Sequence, residues 1–170
     1  MKKIFSVFYF ILLGIISCLG ASPIEVEIGD FKYTLNPSTQ TATLTDALNQ
    51  DIEVANIPIS VHYDGLDYII TALGERSFTG LWGLREVNIP ETVTLIDEWA
   101  FYSTSHNLKE IYIPSSVKTI KTGAFGLTNI SKVEISSLED WCNIKFYDSP
   151  SNPLYEGKAQ LYINGELLVN

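Results

Sequence analysis

Apolar and polar residues along the middle of the chain fall into blocks that return after little more than twenty positions. Leu84-Arg85-Glu86-Val87-Asn88-Ile89-Pro90 is echoed by Leu108-Lys109-Glu110-Ile111-Tyr112-Ile113-Pro114. A third copy, Ile130-Ser131-Lys132-Val133-Glu134-Ile135-Ser136, lacks the proline. Each reads LxxLxL with aliphatic substitutions, and the copies are offset by 24 and 22 residues. A second block keeps the register with offsets of 23 and 24: Ile70, Val93 and Val117 form one column, and Leu73, Ile96 and Ile120 the next. Phe78, Phe101 and Phe125 follow, each preceded by a small residue (Ser77, Ala100, Ala124). The alternation in Val87-Asn88-Ile89 predicts a short half-buried strand with Val87 and Ile89 turned inward. Pro90 ends it, having no N–H to give to a ladder. Val93 and Ile96 return the chain, and Phe101 fills the wider part of the coil. One such unit cannot bury its own apolar side. Stacking the copies sets Val87, Ile111 and Val133 over one another, with parallel strands about 4.8 Å apart.

A period of roughly 20–29 residues carrying LxxLxL marks a leucine-rich repeat solenoid. The pattern VxxIxxxAFxxxxxLxxIxIPxSV, present from Val93 to Val117, resembles the BspA-type leucine-rich repeat of bacterial surface proteins, and the likeness is strong over residues 70–136. Gly29 to Leu35 and Thr41 to Leu44 resemble that family's N-terminal leading strands. Trp141, Phe146, Ser151 to Leu154 and Leu161 to Leu167 resemble the segment that normally leads into another repeat, so a minimal member and a shortened array both fit. The expected fold is a leucine-rich repeat solenoid, β-rich, with short parallel strands and about three repeats (69–90, 91–114, 115–136). A β-hairpin N-terminal cap (21–68) and a short C-terminal cap (137–170) close its ends. Hairpin signals support the caps: alternation from Glu25 to Leu35, a Pro37-Ser38 turn, Asp64-Gly65 after Val61-His62-Tyr63, and Asn164-Gly165. With no Gly/Ser-rich linker the mature chain reads as one domain; a monomer is expected. The resemblance implies surface display and adhesion or protein–protein recognition, with host matrix proteins as a partner class.

The N-terminus points the same way. Lys2 and Lys3 precede an apolar run from Ile4 to Ile16, followed by Ser17, Gly20, Ala21 and Ser22. This is the layout of a secretory signal over residues 1–20, and the run is shorter than the roughly 20 apolar residues of a membrane span. Ile15-Ile16-Ser17-Cys18 resembles a bacterial lipobox, with Ile15 where Leu is commonest, and makes Cys18 the candidate lipidation site and membrane anchor. Ordinary cleavage after Gly20 or Ala21 is the competing reading and would discard Cys18. The expected location is the cell surface or outer membrane, alternatively the periplasm or the medium.

Charge and composition narrow the classes. The chain has 170 residues, of which 46% are hydrophobic, enough for a packed core. Eleven Lys and Arg stand against 20 Asp and Glu, a net −9 that becomes about −11 once Lys2 and Lys3 are removed. That balance argues against nucleic acid as a partner. Two Cys and two His leave little material for a structural zinc site, which usually takes four Cys/His ligands, and no metal or cofactor is expected. Beyond the signal Cys142 stands alone, which excludes a disulfide staple and reads as a buried small hydrophobe. His62 lies near Ser60 and Asp64, but no G-x-S-x-G elbow accompanies it, and it reads as a surface strand residue. His106 belongs to a polar loop with Ser103, Thr104, Ser105 and Asn107.

No catalytic constellation emerges, and the expectation is a non-enzyme. What remains is the outward side of the LxxLxL strands. Arg85, Asn88, Lys109, Tyr112, Lys132 and Glu134 are the candidate binding residues, with Tyr112 as anchor. The competing reading is a set of charges paired between rungs for solubility, each exposed pair contributing about 0–1 kcal/mol. Trp82 and Trp99 lie in loops and serve either a partner or cap packing. The function expected is an exported, non-catalytic protein for recognition or adhesion at the cell surface. The alternative is an envelope lipoprotein scaffold or accessory subunit.

Overall fold

The computed structural model describes residues 22–104, 106–155, 157 and 159–168. The signal segment, its cleavage sites and Cys18 lie outside these residues. Each LxxLxL block forms a strand on one side of the coil: β7 (Glu86–Asn88), β9 (Glu110–Ile113) and β11 (Lys132–Ile135). The return segments form strands opposite: the long β6 (Leu66–Leu73) and the two-residue β8 (Leu95–Ile96) and β10 (Thr119–Ile120). The prolines sit where expected, and the amides of Val93 and Val117 donate back to the carbonyls of Pro90 and Pro114, both at 3.1 Å. The ladders are parallel and in the register the columns require: Ile111 faces Val133, and Leu73, Ile96 and Ile120 run in line.

The stack is longer than the three aligned copies. β4 (Val54–Asn56) pairs in parallel with β7, and β13 (Gln160–Ile163) pairs in parallel with β11 before β14 (Glu166–Leu167) folds back on it. Ile52, Ala55, Ile57 and Pro58 stand in the columns of Leu84, Val87, Ile89 and Pro90. Ala55 is the substitution that hides this rung in the sequence, since a methyl replaces the branched aliphatic side chain. On the opposite side β1 (Ile24–Ile28), β2 (Phe31–Asn36) and β3 (Thr41–Ala47) form an antiparallel meander, and β3 then pairs in parallel with β6. The full order there is β1-β2-β3-β6-β8-β10-β12, with β12 at Lys145–Phe146 and β5 (Ser60–Tyr63) paired to β6. The first side carries a two-stranded sheet, β4-β7, and a four-stranded one, β14-β13-β11-β9, so the ladder breaks between β7 and β9. The lengthened loop around His106 lies immediately before β9.

The core fills the space between the two sides. Phe78 stacks on Phe101 at 5.0 Å and 13°, and Phe101 on Phe125 at 5.3 Å and 5°. Phe31 meets Phe78 edge-on at 6.2 Å, so an N-terminal strand extends the same aromatic column. The Ala100 and Ala124 positions are small because each is buried against the next coil. The turns repeat in backbone as well. Arg76, Trp99 and Gly123 share φ of 56, 53 and 63°, and Gly80, Ser103 and Leu127 share 75, 52 and 55°. The turns after β6, β8 and β10 therefore each pass twice through the left-handed region, which costs an L-residue about 1–2 kcal/mol. The side chains at these six positions follow no pattern, so the sequence columns do not announce them.

Asp64-Gly65 and Asn164-Gly165 are two-residue turns with both central φ positive, as their type demands. Cys142 departs from expectation. It ends a short helix, α1 (Leu138–Cys142), and is exposed. The helix turns Trp141 into the core against Phe146 at 5.3 Å, and the next residue, about 100° further round, faces out. No helix among the described residues is long and apolar enough to cross a membrane.

Candidate functional site

The predicted binding residues share the strand face, where the side chains form a rung-to-rung network. On the N-terminal half, Arg85 forms an ion pair with Glu53. Asn88 Nδ2 donates to Asn56 Oδ1 at 2.8 Å and to Glu86 Oε1 at 2.9 Å. Beyond the break in the ladder, Lys132 lies between two carboxylates, 3.3 Å from Glu110 Oε2 and 3.4 Å from Glu134 Oε2. Its ammonium also sits 5.0 Å from the centre of the Tyr162 ring. The hydrogen bond to Glu110 raises the Lys132 pKa above its ordinary value, with Glu134 adding to it. The register places Tyr112, Glu134 and Tyr162 in one column, so two tyrosines flank one carboxylate.

Tyr112 is half-buried, and its hydroxyl donates to Glu91 Oε1 at 2.9 Å. Burial raises its pKa, and the Glu91 carboxylate works in the same direction against an opposing contact from Ser136. Glu134 accepts the Gly165 amide at 2.6 Å and so pins the β13–β14 turn. That gives it a structural role besides any role on the surface. Lys109 is exposed, and its ammonium has no side-chain partner among the described residues. It is the cation on this face most available to a ligand. Sequence reasoning passed over Glu53, Asn56, Glu91 and Tyr162. The first two sit on the disguised β4 rung, Glu91 follows the strand's terminal proline, and Tyr162 belongs to a segment read as a cap.

The other residues singled out behave differently. His62 Nδ1 pairs with Asp67 Oδ1 at 2.8 Å across the β5–β6 hairpin, with both side chains largely in solvent. Its partner is thus Asp67 rather than Asp64, and Ser60 faces Ile69 two rungs along. Trp99 lies half-buried under the Arg76 guanidinium, 4.2 Å above the ring centre, so it packs the turn column. Trp82 is 66% exposed. Among the described residues no group of three or more His, Cys, Asp or Glu gathers as a metal site would require. One recess of about 270 Å³ opens beside the Phe125 turn, lined by Tyr102, Leu127, Ile130, Pro150, Pro153 and Tyr155.

The pattern of the "BspA type Leucine rich repeat region (6 copies)" matches residues 64–153. No protein of curated function matches the chain. A leucine-rich repeat protein from Bacteroides capillosus superposes with a TM-score of 0.67 at 24% identity, covering 83% of this chain and 99% of that one. The Treponema pallidum leucine-rich repeat protein gives 0.59 at 20% identity, covering 81% of this chain and 71% of that one. A leucine-rich cell surface protein of Faecalibacterium prausnitzii gives 0.60 at 22% identity over 84% of this chain, which spans only 43% of that longer protein. The repeat columns, the parallel register they impose and the match over more than half of its length make the chain a member of the BspA-type leucine-rich repeat family.

Proposed function

We propose that the chain is exported and acts at the cell surface as a non-catalytic recognition module, with its strand face binding a protein and host matrix proteins as the partner class. The observation that carries this reading is the strand face itself. It offers side chains at regular rung spacing, already ordered by contacts with one another: Arg85–Glu53, Asn88–Asn56 and Glu110–Lys132–Glu134. Ordered side chains lose less entropy on binding than free ones, which favours a recognition surface. Lys109 and Tyr112 lie at the middle rung of that face and present an amphipathic ring and a cation with no side-chain partner among the described residues. The export signal supports the location, and the neighbour from F. prausnitzii described as a cell surface protein agrees with it.

The test is retention of purified matrix proteins on beads carrying the protein. Wild type retains at least one of them, and Lys109→Ala with Tyr112→Ala loses it while circular dichroism stays unchanged. Equal retention by the double variant removes the strand face from the account. The second reading, an envelope lipoprotein scaffold without adhesive role, is favoured by the lipobox-like Ile15 to Cys18. Radiolabelled fatty acid on wild type but not on Cys18→Ala, together with protection from protease on intact cells, would establish it.

A further inference from the structure

The strand at the N-terminal end of the larger sheet offers a second docking surface. β1 is outermost, and its far side pairs with no strand among the described residues. Ile28 and Phe31 face each other across the two-residue Gly29-Asp30 turn. Residues flanking such a turn exchange both hydrogen bonds, and bonded and non-bonded pairs then alternate along the ladder. Ile28, Val26 and Ile24 therefore spend their backbone groups on β2. The N–H and C=O groups of Glu25 and Glu27 point to the open edge.

The side chains determine what can pair there. Glu25 and Glu27 are exposed on one face, and Ile24, Val26 and Ile28 are half-buried on the other, against the core. Glu25 sits 2.7 Å from Lys32, and the same ammonium also feels Glu27 and Asp46, so three carboxylates share one cation. A second copy pairing antiparallel about Val26 would set Glu25 against the other copy's Glu27, twice. Like charges directly opposite oppose pairing, and charged edges are a recognised defence against self-association. A strand carrying Lys or Arg at those positions turns the repulsion into cross-strand attraction. Its intervening residues must be apolar to cover Ile24, Val26 and Ile28.

We propose that the β1 edge is a β-augmentation site for an extended segment of a partner protein in which basic and apolar residues alternate. This surface is distinct from the strand face and goes beyond the recognition role assigned there.

The probe is a dye-labelled, end-blocked peptide of alternating Lys and Val, about seven residues long so as to overlap the strand, with a Glu-Val peptide as control. Anisotropy against purified protein at low salt is expected to show saturable binding of the Lys-Val peptide alone. Glu27→Gln keeps the outward amide and loses one charge, weakening binding about two- to fivefold. Glu27→Pro removes that amide without taking a bond from β2, and costs about a further tenfold. Glu25→Lys with Glu27→Lys reverses the preference toward the Glu-Val peptide. Amide exchange at Glu25 and Glu27 is fast in the free protein and slows with the peptide, a readout on wild type that stands even if the proline variant unfolds. Four results overturn the proposal. They are no saturable binding, equal affinity of the Gln and Pro variants, slow exchange of both amides in the free protein (the edge already covered by its own chain), and a dimer in sedimentation that Glu27→Pro dissolves.

Discussion

Gly123 occupies the column of left-handed turn residues, and placing Ala there tests how the coils stack. Its φ is +63°, and an added Cβ would lie 2.6 Å from Cδ1 and 2.7 Å from Nε1 of Trp99 in the preceding coil. Two terms follow. The backbone term is about 1–2 kcal/mol for an L-residue in this region, offset by about 0.4–1 kcal/mol because Ala restricts the unfolded chain. The packing term arises because Trp99 must shift, disturbing its contact with Arg76, itself about 0.5–1 kcal/mol, and the ring's burial. Gly123→Ala is therefore expected to cost about 1–3 kcal/mol. Gly80 supplies the control: its φ is +75°, but nothing lies within 4 Å of an added Cβ. Gly80→Ala carries the backbone term alone and costs about 0–1.6 kcal/mol. Urea midpoints with unchanged m-values measure both. A double-mutant cycle isolates the ring, because in a Trp99→Ala background the cost of Gly123→Ala falls to that of Gly80→Ala. Equal costs at the two glycines, or a Gly123 cost that survives the loss of Trp99, would refute this reasoning.

Three further outcomes are expected. Phe101→Ala removes the fully buried ring between two stacked neighbours and costs about 3–5 kcal/mol in chemical denaturation, and a loss near 1 kcal/mol would deny the aromatic column its weight. Tyr33 is 1% exposed, and burial pushes its hydroxyl up to about 12 from 10.0. The folded state thus favours the neutral phenol, so its contribution is complete below pH 10 and is lost as pH rises from 10 to about 12. Tyr33→Phe should flatten that alkaline decline in denaturation midpoint, and an unchanged slope would contradict the assignment. Glu134→Ala frees the Gly165 amide and costs about 1 kcal/mol, with faster amide exchange confined to the β13–β14 hairpin.

The columns of the three aligned copies were legible in the sequence because each carries large aliphatic or aromatic residues at a constant offset. Val87 and Ile111 show their inward direction through neighbours that are polar. The rung at β4 was hidden by Ala55, and the one at β13 by the coil before it, where Phe146 rather than an aliphatic residue continues the Leu73, Ile96 and Ile120 column. The turn columns were illegible for another reason. Arg76, Trp99 and Gly123 share a backbone conformation but no side-chain chemistry, and one-letter patterns record only the latter. The exposure of Cys142 is not legible because no sequence signal fixes which face of the short helix turns inward; burial of Trp141 decides it. On the strand face the outward positions followed from alternation alone. Which of them bond to each other depended on rung register, and Tyr162 joined the Tyr112 column only once β13 was seen to pair with β11.

The strand face as the recognition surface is tested most directly by hydroxyl-radical footprinting of the protein, free and bound to the matrix protein that the bead assay retains. Tyr112 and Tyr162 report on the strand face. Tyr147, beyond the end of the opposite sheet, and Tyr63, on the β5–β6 hairpin, report on surfaces elsewhere. If the partner sits on the strand face, bound protein loses oxidation at Tyr112 and Tyr162 and keeps it at Tyr147 and Tyr63. Protection at Tyr147 or Tyr63 with Tyr112 and Tyr162 unchanged would contradict it.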